Sequence, residues 1–225
     1  MNLSGDRLIF LVIFFPLFMI SLSFHEFAHA YAANRAGDPT ARLMGRMTLN
    51  PIVHVDPIGM IFFVVSFMAG VGFGWAKPVP VNPLNFRNMR KDDIIVSFAG
   101  VVANAILIVA GIVLMKILIL AGFFHMSGGA VYATSNIQHY IWRIMIQFLA
   151  LNTILVVFNL MPIPPLDGSK ILMMLLPRES AMMIQRIEPF GFLIILVLLM
   201  SGVLDFIFGI AWAIIHSIAF FVFAL

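Results

Sequence analysis

The chain has 225 residues, 62% of them hydrophobic and 10% charged, with a mean hydropathy of +1.08. Soluble domains carry about 25% charged residues, so this composition excludes an ordinary water-soluble globule and requires lipid to cover part of the surface. The formal charge of +3 comes from Lys and Arg set between apolar runs, which reads as membrane anchoring rather than a nucleic-acid face, and the absence of cysteine excludes disulfides and thiolate metal sites.

The first apolar run, from Leu8 to Phe24, continues without a break into His25 and on through Ala28, Ala30, Ala32 and Ala33. It reads as a retained span rather than a cleaved signal peptide, ending at the breaker Gly37-Asp38-Pro39. A mixed stretch follows with Arg35, Arg42 and Arg46, then His54-Val55-Asp56-Pro57. The next apolar run, Ile58 to Phe73, is short and glycine-rich at its end, and leads into the extended, proline-rich Trp75 to Pro83. After the basic segment from Arg87 to Lys91, long spans are expected from Ile94 to about Ala121 and from about His139 to Leu160. The polar loop between those spans, His125 to Gln138, contains no Lys or Arg. The second span breaks at Met161-Pro162-Ile163-Pro164-Pro165. An amphipathic charged segment then carries Lys170, Arg178, Glu179, Arg186 and Glu188. The tail from Phe190 is one span with an interfacial lead-in or two short spans. The expected fold is an all-α polytopic membrane protein with about five (four to six) spans, a re-entrant element and a possible β-hairpin near 58–83. A single domain over 1–225, with no appended soluble module, is expected.

The chemistry is concentrated in His25-Glu26-Phe27-Ala28-His29. Residues four apart share a helix face, so His25 and His29 present two imidazoles to one point. That is the geometry two zinc ligands need, and Glu26 beside them suits a general base on the activated water. A charged group at the centre of a membrane helix costs roughly 2.5–3.5 kcal/mol on insertion scales, so chance or a simple polar patch is the costlier explanation. Catalytic zinc usually takes three protein ligands. His54, Asp56, Asp167, Asp205 and His216 are the candidates for the third. His54 and Asp56 read better as an interfacial turn with a helix cap. Asp167 is favoured because irregular backbone after Leu160 is tolerated in lipid where it lines a cavity or site.

The positive-inside rule assigns the Arg35–Arg46, Arg87–Lys91 and Lys170–Arg186 segments to the cytoplasm. His29 and Asp167 then meet at one depth only if the 58–73 run enters and returns on the same side.

These residues resemble the site-2 protease family of intramembrane zinc metalloproteases. The resemblance is carried by His25-Glu26-x-x-His29, Gly100-x-x-x-Asn104 and Asn159-Leu160-Met161-Pro162-Ile163-Pro164-Pro165-Leu166-Asp167-Gly168, and covers most of Phe24 to Lys170. It is greatest to compact prokaryotic members without PDZ or CBS modules, in which the stretch from Gly74 to Pro83 is also familiar. The resemblance implies one catalytic zinc ion held by His25, His29 and Asp167, with Glu26 activating the water. It further implies that Asn159 and Asn104 orient the substrate or its carbonyl, and that Gly72-Phe73-Gly74 belongs to a re-entrant hairpin holding an unwound substrate strand. The expected reaction is hydrolysis of peptide bonds in or near transmembrane segments of single-span proteins. The expected location is the prokaryotic plasma membrane, with the active site toward the cytoplasm. A metal-ion transporter would instead need ligands strung along a path and no Glu26; an inactive relative would not need Glu26 either.

Overall fold

The computed structural model describes residues 3–68, 74–127 and 130–224, which form two compact units, residues 1–103 and 104–225. In the first unit, α1 (Leu3–Ala36) is the long helix that carries the His-Glu motif. Helix α2 (Thr40–Leu43), a 3₁₀ turn at Pro51–His54, α3 (Pro57–Met68) and a second 3₁₀ turn at Pro83–Asn85 follow. The first half of α4 (Met89–Leu120) completes it. Small residues on α1 let other chain segments approach closely: Ala33 and Ala36 pack with Phe86 and Val96, while Ala30 packs with Ala41 and Val79. Nearer the start of α1, Phe18 stacks on Phe63 of α3 with ring centroids 4.7 Å apart, and Phe14 flanks the same ring.

The α3 excursion closes on itself. Asp56 Oδ1 caps the helix by accepting from the Ile58 and Gly59 amides, both at 2.9 Å. Helix α3 has 12 residues, roughly 18 Å at 1.5 Å per residue, against about 30 Å of hydrocarbon. On the far side the Lys77 amide donates to the His54 carbonyl at 2.9 Å. A run whose two ends are hydrogen-bonded together cannot have them on opposite faces of a bilayer, so it returns to the side it left. The hairpin expected near 58–83 falls partly on 69–73, including Gly72 and Phe73, which lie outside the described residues. Residues 74–82, Gly74 among them, lie in no helix or strand. The strands that are described lie elsewhere: β1 (His125–Ser127) and β2 (Ala130–Tyr132) pair antiparallel, with Met126 opposite Val131, in the loop expected to be polar.

The second unit holds the rest of α4, β1 and β2, α5 (Asn136–Leu160), α6 (Asp167–Leu175), α7 (Arg178–Ile187), α8 (Gly191–Met200) and α9 (Val203–Ala224). A capping box starts α5: Ser135 Oγ accepts from the Gln138 amide, and the Gln138 side chain accepts from the Ser135 amide. Ile108, Ile112 and Met115 of α4 pack on Leu149 of α5. The tail is broken at Ser201–Gly202 into α8 and α9.

Among the described residues, four helical stretches are long and apolar enough to cross a membrane: Val12–Ala36, Met89–Leu120, Asn136–Leu160 and Arg178–Met200. Helix α9 adds 22 largely apolar residues. On α4, Val102, Ile106, Val109, Val113, Ile117 and Leu120 are each at least half exposed at helical spacing. An apolar stripe turned outward is the reverse of a soluble helix and marks a lipid-facing side. The all-α polytopic membrane class is therefore the observed one.

Candidate metal centre

Helix α1 brings His25 and His29 together as the four-residue spacing requires. Their Nε2 atoms are 3.0 Å apart and both rings are buried. Two nitrogens bound to one tetrahedral zinc, each at about 2.0–2.1 Å, are separated by about 3.3 Å, so the pair is close to ligating separation. His29 Nδ1 lies 2.7 Å from the carbonyl of Val96 on α4. A carbonyl only accepts, so Nδ1 carries the proton and Nε2 keeps the lone pair a metal requires. The donor set therefore fits zinc.

Gly100 on α4 explains how a second helix can lie against two imidazoles. A Cβ there would sit 2.4 Å from His29 Nε2 and 2.5 Å from His25 Cε1. Any side chain at residue 100 would displace the pair, which gives a physical reason for glycine in the Gly-x-x-x-Asn pattern.

Glu26 is also buried, and its Oε2 accepts from the Val79 amide at 2.8 Å. Val79 belongs to the proline-rich segment, which is fastened at several points. Arg46 Nη2 donates to the carbonyls of Lys77 at 2.8 Å and Pro78 at 3.3 Å. At the far end Asp38 receives the Asn82 amide at 2.7 Å, the Asn85 side-chain amide at 2.8 Å and the Thr40 hydroxyl and amide. Burial alone would raise the Asp38 carboxyl pKa. The hydrogen bonds from Thr40, Asn82 and Asn85 outweigh it and hold the group below its ordinary value. This network bears on whether the segment could pair with a substrate strand. The segment from Lys77 to Pro83 is extended enough to pair with a substrate strand, but Pro78, Pro80 and Pro83 have no N–H, and the amides of Lys77, Val79 and Asn82 are already engaged. Among the described residues Val81 carries the one amide of this segment left without a hydrogen-bond partner, which makes the segment a poor template.

The alternative ligands are placed away from this role. His54 Nε2 lies 2.8 Å from the Thr48 carbonyl, and Asp56 is the cap of α3. In the second unit Asp205 and His216 are exposed, and His216 lies edge-on to Trp212.

Asp167 opens α6, where its carboxylate faces the positive end of a helix, and it is buried. The prolines after Leu160 turn the chain from α5 into α6 within six residues. Gly168 permits the turn: a Cβ there would lie 2.3 Å from the Leu160 carbonyl oxygen. Lys170 Nζ approaches Asp167 Oδ1 at 4.0 Å from the exposed side. Asn104 Nδ2 donates to Asn152 Oδ1 at 3.0 Å, and Asn152 Nδ2 donates to the Phe148 carbonyl. Both asparagines are fully buried, and the bond between them joins α4 to α5. Asn159 Nδ2 bonds the Leu155 carbonyl of its own helix. Sequence reasoning missed Arg46 and the backbone groups of Val79 and Val96; backbone carbonyls and amides leave no residue-type signal.

A helical membrane protein with a paired-histidine centre and a buried glutamate beside it has the constitution of a membrane metallopeptidase. The family model described as "Peptidase family M50" matches residues 13–202, and the chain belongs to that family, the site-2 type of metalloprotease. It is 39% identical over 184 residues to "Putative zinc metalloprotease YwhC" of Bacillus subtilis (strain 168), covering 81% of this chain and 78% of that protein. It is 32% identical over 188 residues to "Putative zinc metalloprotease Rip2" of Mycolicibacterium smegmatis, covering 83% of this chain and 66% of that one. No solved structure matches the chain.

Proposed function

We propose that this zinc metalloprotease hydrolyses peptide bonds within or near transmembrane segments of single-span membrane proteins, with one zinc ion held by His25, His29 and Asp167. The observation that carries the reading is the converged Nε2 pair on a helix of membrane-spanning character, with the Glu26 carboxylate in the adjoining position. His25 and His29 are buried in the first unit and Asp167 is buried in the second, and each offers a donor atom that suits zinc. Bound there, zinc supplies Lewis acidity that activates water for attack and polarises the scissile carbonyl.

The protein's own groups do the rest. Val96 fixes the His29 tautomer, and Gly100 leaves room for the pair. Glu26 takes the attacking water's proton and passes it to the leaving amine. Asn159 and Asn104 are proposed to help orient the substrate, in Asn104's case beyond its bond to Asn152. The Gly72–Gly74 stretch is proposed to hold the unwound substrate strand, because a helical peptide bond is shielded by its own turn. The basic segments at 35–46, 87–91 and 170–186 support a cell-membrane location with the site toward the cytoplasm.

The test is purification with zinc and a single-span substrate, comparing wild type with Glu26→Gln. Retained zinc with cleavage abolished is expected. Unchanged cleavage removes Glu26 as the base, and zinc flux persisting in the variant would favour a transporter.

A further inference from the structure

Glu26 is reached by a short chain of hydrogen bonds that begins at Arg46. We propose that Arg46 is a positioning residue for the general base, acting through the Lys77–Val79 backbone; this rests on the assignment of Glu26 as that base. Arg46 is only 7% exposed, and one terminal nitrogen holds the Lys77 and Pro78 carbonyls. Its Nε has no hydrogen-bond partner among the described residues. A buried guanidinium is a costly way to fasten a surface loop. What it fastens is the peptide immediately before Val79, whose amide donates to Glu26 Oε2 at 2.8 Å.

The sequence around that donor makes the coupling stiff. Pro78 and Pro80 fix φ on either side of Val79, so the Val79 amide cannot turn away without the carbonyls that Arg46 holds moving too. The Lys77 amide, bonded to the His54 carbonyl, anchors the segment two peptides earlier. Glu26 has three side-chain torsions to order, and this single bond commits Oε2 while leaving Oε1 to take a proton. The segment is thus a fixed arm that sets the aim of the carboxylate.

The experiment uses the full chain with and without zinc. Arg46→Met, Arg46→Lys, Val79→Ala, Val79→Pro and Glu26→Gln are compared for zinc content, kcat and KM. Exchange of the Val79 amide is followed in chelator-treated wild type and Arg46 variants. Arg46→Met is expected to lower kcat about 10–100-fold, the scale of a small misplacement of a reacting group, with KM and zinc nearly unchanged. In the zinc-free protein it should speed Val79 amide exchange at least about tenfold, with Arg46→Lys between the two, as loss of a fixed local structure requires. Val79→Pro, which lacks the amide, should fall at least about tenfold in kcat below Val79→Ala, which lacks only packing. Unchanged kcat and unchanged exchange in Arg46→Met, with Glu26→Gln inactive, would overturn the positioning role and leave the base intact. An active Glu26→Gln would instead overturn the base. Where Arg46→Met does not fold, equal kcat in Val79→Pro and Val79→Ala overturns the proposal.

Discussion

Replacing Gly100 by alanine sets helix propensity against site geometry. In a helix interior the change should stabilise by roughly 0.5–1 kcal/mol, so the apo protein is expected to fold at least as well as wild type. The added carbon, however, would stand 2.4 Å from His29 Nε2 and 2.6 Å from His25 Nε2. Ordinary contact needs about 3.5 Å, so the imidazoles or α4 must give by about 1 Å. Zinc–ligand distances tolerate only about ±0.2 Å. A displacement several times that tolerance should remove the metal. The assay is zinc per chain by mass spectrometry after gel filtration, beside thermal unfolding of the chelator-treated protein. Zinc content near zero with an undiminished apo unfolding temperature is the expected pair. Gly209→Ala is the control, since a Cβ there meets nothing within 4 Å. Stoichiometric zinc in Gly100→Ala would refute the claim that this glycine makes room for the ligand pair.

Gly168→Ala should behave similarly through the second unit, since its Cβ would strike the Leu160 and Met161 carbonyls; normal zinc content and activity there would show that the approach of α6 to the end of α5 is not required. Asp38 is held below its ordinary carboxyl pKa of 3.8, so its contribution is present above that value and disappears as pH falls through the depressed one. Asp38→Asn should therefore be less stable than wild type at neutral pH, with a smaller loss on acidification below about pH 4; equal acid sensitivity in the two proteins would count against the assignment. A double-mutant cycle on Asn104→Ala and Asn152→Ala should give a coupling of about 0.6 kcal/mol, and at most about 1.7, in thermal unfolding; zero coupling would mean that the interhelical bond contributes nothing. Because the chain has no cysteine, single cysteines at Ile52 and Lys77 can be labelled cleanly, and both should react with an impermeant reagent from the same side of the membrane; labelling from opposite sides would contradict the closed excursion.

Much of this was legible before any coordinates. Composition alone required a lipid-covered fold, and the spacing of His25 and His29 defined a shared helix face. The short 58–73 run was readable as re-entrant because topology demanded it, and the bond between Lys77 and His54 supplies the local reason. Other features were hidden because they depend on which groups approach across long sequence separations. Proline content marked residues 75–83 as extended, yet whether that extension was open for pairing or already engaged was decided by Glu26, Arg46 and Asp38. Gly100 could be matched as part of a pattern, but the volume it vacates beside the imidazoles is visible only in three dimensions. Polarity suggested a plain loop after α4, and the short β1–β2 pairing was missed because three-residue strands leave almost no periodic signal.

The join between His54 and Lys77 also separates two kinds of evolutionary freedom. Everything between those residues is a side branch whose ends are fixed independently of its length, while the arm beyond Lys77 is tied to Glu26. Lengthening a closed loop costs little, about 0.6 kcal/mol per doubling for a flexible one. Outside the Gly72–Gly74 stretch proposed to hold substrate, the part of the branch containing α3 can therefore change in length to suit a different membrane neighbour without disturbing the carboxylate. Insertions between Lys77 and Val79 have no such licence, because each added residue would shift the Val79 amide off its acceptor.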